Sequence, residues 1–190
     1  DMLIGDLIMG DSTNTYLQQN MLFDVVKLDQ ERQRITKLLQ DNGYYKFNKD
    51  FLVYQADTAR NTYTVDLTMK LLPYQQRKED APTKHKAYTI RNVNFLAEDN
   101  ASLTDVHYTG YDSLHYEGIN VFYQDKPYLR PSILANFNFI RPNGLYSDQD
   151  VQNTFASMGR LRALKYTNIR FDEVLVKDSN QLDANVLLTK

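Results

Sequence analysis

The sequence of 190 residues has no cysteine and no tryptophan. Without cysteine the chain can form no disulfide bond and can perform no thiolate chemistry, but both reducing and oxidising compartments stay open. No apolar run reaches the roughly 18 residues that a membrane-spanning helix needs. The formal net charge is only −2, with acidic and basic residues interspersed. No basic face is therefore expected for nucleic acid or anionic lipid.

Aromatic residues are abundant instead. The chain has 14 Tyr and 9 Phe, which favour strands and half-buried surfaces, so we expect sheet. The first residue is Asp1 rather than Met, which predicts that the chain is a piece of a longer protein.

One phrase of the sequence occurs twice. The residues DQERQ at 29–33 begin an amphipathic stretch that ends in GYYKF at 43–47. About 119 residues later, DQDVQ at 148–152 begins a similar stretch that ends in ALKY at 163–166. A recurring supersecondary unit indicates an array of small binding modules rather than one catalytic domain.

The first unit is predicted to have the order β-α-α-β-β. Ile4, Leu7 and Met9 indicate a first strand, and helices are expected at 15–19 and at 28–41. Asn42 and Gly43 end the second helix. Strands are expected within 45–54 and at 63–71, where apolar and polar residues alternate. The apolar stripe of the second helix is Leu28, Ile35, Leu38 and Leu39, and its solvated side carries Glu31, Arg32, Arg34 and Lys37.

The second unit repeats this order. The spacing of three between Ile90 and Val93 breaks the alternation of the first strand, as a β-bulge would. Pro131 introduces a helix at 132–139, and Ser147 or Asp148 caps another. Two strands follow, at 166–174 and 182–188. The apolar stripe of the second helix is Val151, Phe155, Met158 and Leu161.

The domain boundaries follow from this repeat. The first module is expected at 1–73, an exposed linker at 74–86 and the second module at 87–190. An insertion at about 97–128 enlarges the second module, and its glycines at 110 and 118 indicate a β-hairpin. This hairpin is a candidate interface because exposed tyrosines anchor partners well, although the same rings could simply cover the sheet. Its candidate residues are Tyr108, Tyr111, Tyr116 and Tyr123.

These modules resemble POTRA (polypeptide-transport-associated) domains. The stretches LDQERQRIT and NGYYKFNKD at 28–36 and 42–50, and GLYS and NIRF at 144–147 and 168–171, are similar to the periplasmic part of BamA/TamA-like outer-membrane assembly factors. Arg162 stands where the first unit has Gly43, which departs from the pattern. The resemblance implies two tandem α+β modules, each with a three-stranded mixed sheet and two helices on one face.

The resemblance also implies a function. Such proteins sit in the periplasm of Gram-negative bacteria, carry a C-terminal membrane β-barrel and help to insert outer-membrane proteins. No series of barrel strands occurs in this sequence, so it would be the scaffold arm, with unfolded outer-membrane proteins or accessory assembly proteins as partners. An extended segment can add to an unpaired strand edge through main-chain hydrogen bonds. The predicted edges are Phe51, Leu52, Val53 and Tyr54 in the first unit and Thr167, Ile169 and Phe171 in the second.

Other functions have less support in the sequence. An envelope adhesion or ligand-binding module would use the tyrosine-rich hairpin for saccharide or protein ligands. His107 and His115 lie near Asp105, Asp112 and Glu117, but not at a metal-binding spacing. Nucleotide-binding and nucleophile motifs are absent from the sequence. We therefore predict no catalytic residues, no metal site and no cofactor.

Overall fold

The computed structural model describes residues 4–58, 63–77, 79–98, 108–174 and 179–190. The chain divides into two compact units, Asp1–Lys86 and Ala87–Lys190. Each unit combines helices with a sheet, so the predicted α+β class is confirmed. The part of the chain that is described contains no helix long and apolar enough to cross a membrane.

The first unit has a small sheet. Its elements are α1 (Ile4–Gly10), α2 (Val25–Gln40), β1 (Leu52–Asp57) and β2 (Asp66–Leu71). β1 and β2 pair antiparallel, with Leu52 opposite Leu71. The described residues of this unit supply no third strand, so the predicted three-stranded sheet is not found there.

The N-terminal segment also differs from the prediction. Residues 4–10 form a helix, so the strand predicted at Ile4, Leu7 and Met9 is wrong for this structure. The helix expected at 15–19 is not formed, and a short 3-10 helix, Ser12–Asn14, precedes this stretch. Sequence periodicity cannot show whether a strand finds a neighbour, whereas a helix satisfies its backbone groups within its own segment.

Helix α2 is built as the sequence indicates. The Asp24 carboxylate caps it by accepting hydrogen bonds from the first amides of the helix. After the helix, Gly43 has a φ of +98°, a conformation that suits glycine. Leu38 is only half-buried and thus lies at the margin of the predicted stripe. The core of this unit consists of Leu28, Ile35, Leu39, Tyr44, Phe47 and Leu52.

The second unit has a five-stranded sheet. Its strands are β3 (Thr89–Glu98), β4 (Asp112–Tyr116), β5 (Ile119–Tyr123), β6 (Tyr166–Glu173) and β7 (Gln181–Thr189), and its helices are α3 (Pro131–Phe137) and α4 (Asp148–Met158). The strand order is β4-β5-β3-β7-β6. β7 runs parallel to β3 and antiparallel to β6, so the sheet is mixed, as predicted. The inserted hairpin, β4 and β5, extends this sheet.

Two local predictions for this unit are confirmed. The pairing of β3 with β7 shifts between Ile90 and Asn92, where the bulge was expected. Ser147 caps α4 by accepting a hydrogen bond from the Asp150 amide. The predicted stripe of α4 is partly wrong, because Phe155 is 51% exposed and Thr154 takes a buried position instead. Thr154 fits there because its hydroxyl donates to the Asp150 carbonyl and accepts from the Phe139 amide.

Candidate functional site

The outer edge of β6 presents main-chain hydrogen-bonding groups. The Val174 amide donates to the Gln181 carbonyl at 3.0 Å. Together with the register of β6 and β7, this bond determines which residues of β6 direct their backbone groups towards β7. In an antiparallel pair, alternate residues direct both backbone groups to the partner and the residues between them direct both outward. The outward residues of β6 therefore include all three that the sequence analysis selected: Thr167, Ile169 and Phe171.

The side chains of these three residues do not face the free edge. Ile169 lies opposite Val186 and Phe171 opposite Ala184, on the buried side of the sheet. The Phe171 ring contacts the Tyr146 ring edge-on, with centroids 5.2 Å apart. A segment that adds to β6 would thus be held by backbone groups, with little selection by these side chains.

The edge of β1 differs from the prediction. The Leu72 amide donates to the Phe51 carbonyl. Because hydrogen-bonded positions alternate along an antiparallel pair, Val53 also directs its backbone groups to its partner, Lys70. Phe51 and Val53 are therefore excluded as edge residues. Leu52 and Tyr54 direct their backbone groups away from β2, but the Leu52 amide already donates to the Lys49 carbonyl. Sequence alternation alone does not reveal this phase, because it depends on which residues of the two strands pair.

Phe51 belongs to an aromatic cluster. Its ring contacts the His85 ring with centroids 4.7 Å apart, and Phe47 and Tyr74 complete the group. The His85 Nε2 atom lies 2.8 Å from the Leu72 carbonyl oxygen. Residues 74–86, predicted as an exposed linker, thus pack in part against the first unit.

An ionic cluster in the first unit was missed by the sequence analysis. Glu31 is buried and accepts hydrogen bonds from Arg34, the Thr15 hydroxyl and the Tyr16 amide. Arg34 also pairs with Asp11, so Glu31 and Arg34 are not a solvated helix face. Burial acts to raise the pKa of Glu31, but these hydrogen bonds outweigh it and lower that pKa. Asp11 is 23 residues from Arg34, and helical periodicity gives no signal for such a contact.

The hairpin tyrosines are half-buried rather than exposed. This holds for Tyr108, Tyr111, Tyr116 and Tyr123. The Tyr108 ring stacks on Phe122 at 3.9 Å, and its hydroxyl donates to Asn185 Oδ1 at 2.6 Å. Burial raises the pKa of Tyr108. These contacts favour the interpretation that the rings cover the sheet.

A row of polar side chains crosses the sheet beneath Tyr108. Asn120 Nδ2 donates to Asn94 Oδ1, Asn94 Nδ2 to Asn185 Oδ1, and Asn185 Nδ2 to Asp172 Oδ2, at 2.7–3.0 Å. His115 Nδ1 lies 3.0 Å from Asn120 Oδ1. The row therefore joins all five strands from β4 to β6. We call it the amide row.

A cavity of about 260 Å³ lies beside the hairpin. Phe95, Val121 and Leu134 contribute apolar lining, and Tyr111 and Tyr123 contribute two of the predicted hairpin tyrosines. A cavity of about 150 Å³ can hold benzene, so this one has room for a small ligand.

The histidines and acidic residues considered for a metal site are not brought together in the described part of the chain. No group of three or more His, Asp or Glu side chains there could hold a metal ion. Asp105 and His107 lie outside the described residues. His115 instead contacts the amide row.

The comparisons with known proteins identify the fold. No family model matches the chain, and no curated protein matches it by sequence. The structure is similar to that of BamA from Haemophilus ducreyi lacking POTRA domains 1–3, with a TM-score of 0.64, 12% identity, 100% of this chain covered and 27% of that chain.

A second solved structure, POTRA domains 3–5 of Haemophilus influenzae BamA, matches with a TM-score of 0.52 and 13% identity. The match covers 98% of this chain and 54% of that one. The chain thus spans about a quarter to a half of the BamA structures that it matches. By its fold, the chain resembles BamA and its POTRA domains.

Proposed function

We propose that this chain is a periplasmic scaffold arm of an outer-membrane protein assembly factor in a Gram-negative bacterium. It binds unfolded outer-membrane proteins or accessory assembly proteins and performs no catalysis. The likeness to BamA POTRA domains supports this role. The observation that carries the binding mode is the outer edge of β6, which pairs only with β7 among the strands of the described chain.

The strand edge suits a scaffold with many clients. Main-chain groups are the same in every polypeptide, so β-augmentation depends little on client sequence. The residues near the ends of β6 are exposed, so they leave room for a partner strand. They include Tyr166, at 74% exposure, and the acidic Asp172 and Glu173. The edge of β1 at Tyr54 is a second candidate of the same kind, since the Leu52 amide is already used by the Lys49 carbonyl.

The test uses a photo-crosslinking peptide of about ten residues, the length of one outer-membrane strand, with alternating apolar and polar residues. The wild-type chain should capture this peptide, and the same peptide N-methylated at alternate residues should lose capture. N-methylation removes backbone donors from the probe and leaves the protein unchanged. Equal capture of both peptides would contradict strand addition.

A protein variant then locates the edge. Ile169→Pro removes an outward donor and leaves the hydrogen bonds to β7 in place. Ile169→Val is the matched control because it keeps the amide. Capture should fall in the proline variant only, at unchanged circular dichroism. Undiminished capture by folded Ile169→Pro, together with loss in Tyr54→Pro, would move the site to β1.

A second candidate function is an envelope ligand-binding module at the tyrosine-rich hairpin. The cavity beside Tyr111 and Tyr123 favours it. Titration with soluble cell-wall saccharides should then change tyrosine fluorescence in the wild-type chain and not in Tyr123→Ala. No change at saturating saccharide would exclude this function.

A further inference from the structure

Strand β6 has opposite charges at its two ends. The connection that leads into it from α4 carries Arg160, Arg162 and Lys165, and all three are exposed. We call these three residues the basic turn. Asp172 and Glu173, at the other end of β6, are also exposed. A segment that lies along the outer edge of β6 therefore meets positive charge at one end and negative charge at the other.

The basic turn is held beside the start of β6 by its backbone. The Lys165 amide donates to the Thr189 carbonyl of β7 at 2.8 Å. The Tyr128 hydroxyl donates to the Ala163 carbonyl at 2.9 Å. Within the described part of the chain, none of the three cationic side chains forms a salt bridge. Their charge is therefore available to an acidic partner.

The acidic end of β6 includes the start of α4. The Tyr146 ring contacts the Phe171 ring, and the Tyr146 hydroxyl donates to Asp148 Oδ1 at 3.4 Å. These contacts bring the first turn of α4, which carries two aspartates, to this end of the strand. Arg170 pairs with Asp172 at 3.0 Å and offsets part of the negative charge. The basic turn is therefore the stronger of the two charged ends.

Main-chain hydrogen bonds leave the direction of an added strand open. Parallel and antiparallel partners can both pair with an open strand edge. Between its ends, from Thr167 to Phe171, β6 is half-buried, and Arg170, its one charged residue there, is already paired. Charge complementarity fixes the register and orientation of a partner more than it adds affinity. The two charged ends are therefore the features of this edge that can select a direction.

We propose that charge sets the direction in which an extended client segment adds to β6. This inference rests on the proposed strand addition at that edge. The end of the client that carries acidic residues lies beside the basic turn, and its other end lies beside Asp172 and Glu173. A segment that is acidic at its C-terminal end thus adds antiparallel to β6. A segment that is acidic at its N-terminal end adds parallel.

Two peptides of identical composition test the direction. Each has about ten residues with apolar and polar residues alternating, the length of one outer-membrane strand. One carries glutamates at its C-terminal end and lysines at its N-terminal end, and the other has the reverse order. A photo-crosslinking residue lies beside the glutamates in both. Mass spectrometry should find both crosslinks at residues 160–166 roughly fivefold more often than at residues 171–174, since exposed ion pairs are individually weak. Equal labelling of the two ends would overturn the proposal.

A charge-removal variant tests the basic turn itself. Arg160→Gln, Arg162→Gln and Lys165→Gln together should abolish the preference for one end while capture and circular dichroism are retained. The matched control makes the same change of net charge at three exposed lysines of the first unit, with Lys27→Gln, Lys37→Gln and Lys84→Gln. A preference that persists in the first variant, or is lost equally in the control, would refute the role of the basic turn.

Salt gives a second test that needs no variant. Raising the salt concentration from about 0.1 M to about 1 M shortens the screening length from about 10 Å to about 3 Å. The wild-type chain should then lose the end preference and keep capture, because main-chain hydrogen bonds do not depend on this charge. A preference unaffected by salt would contradict the proposal.

Failure of strand addition itself gives a different result. In that case N-methylation of either peptide at alternate residues would leave its crosslinking unchanged, and the inference would fall with the proposed function. Crosslinking that N-methylation abolishes, but that shows no preference for the basic turn, would overturn the direction alone.

Discussion

The last strands of the two units carry similar alternating patterns but have opposite environments. Ala184, Val186 and Leu188 of β7 are completely buried, whereas Leu67, at the position that matches Ala184, is 37% exposed. The neighbouring strands differ: among the described residues, β7 is paired on both sides and β2 on one. Alternation therefore predicts a strand correctly but not its burial, which depends on the elements that lie beside the strand.

The largest expected effect is in the second unit. Phe95 has no exposed surface and lies in β3 beside β7, so Phe95→Ala should destabilise this unit by about 3–5 kcal/mol. Hydrogen exchange of peptides from each unit, measured by mass spectrometry, reads the two stabilities separately. Equal loss of protection in the first unit would contradict independent stabilities.

A smaller effect is expected from the ionic cluster of the first unit. Glu31→Gln weakens the hydrogen bonds of a buried carboxylate and should cost about 1.5–3 kcal/mol. The pKa of Glu31 is lowered in the folded state. The ionised carboxylate therefore contributes fully to the free energy of unfolding above the ordinary pKa of 4.5, and this contribution is lost as the pH falls through the lower pKa of the folded state. Acid titration of unfolding should show this loss in the wild type, and its persistence in Glu31→Gln would exclude Glu31 as the cause.

The amide row should contribute about as much to the stability of the second unit as the ionic cluster does to that of the first. Asn185→Ala leaves hydrogen-bonding groups of Asn94, Tyr108 and Asp172 without this partner, which should cost about 1–3 kcal/mol. The loss should extend to exchange protection in the hairpin. Unchanged protection of β4 and β5 would mean that the row does not hold the hairpin to the sheet.

The smallest effect is predicted for β2. Leu67→Ala should change the stability of the first unit by no more than about 0.5 kcal/mol, because the residue is already partly solvated. Urea unfolding followed by circular dichroism checks this. A cost like that of a core leucine would mean that Leu67 is covered in solution.

Local signals in the sequence predicted much of the fold. The spacing of Ile90 and Val93 predicted the bulge, and Ser147 predicted a helix cap, because each depends on a few neighbouring residues. The contact between Arg34 and Asp11 could not be predicted, since it joins distant parts of the chain. For the candidate site, the sequence predicted that β6 is an edge strand. It could not predict that Val53 directs its backbone groups to β2 rather than outward, because this depends on which residues of β1 and β2 pair.

The amide row also selects one alignment of the strands. Side chains alternate between the two faces of a sheet, so a slip of β5 by one residue would turn Asn120 towards the apolar core and move Ile119 and Val121 out of it. Each asparagine can then meet its neighbour in only one alignment. The hairpin is thereby encoded to join the module in a single position, even though it is an insertion into the repeated pattern.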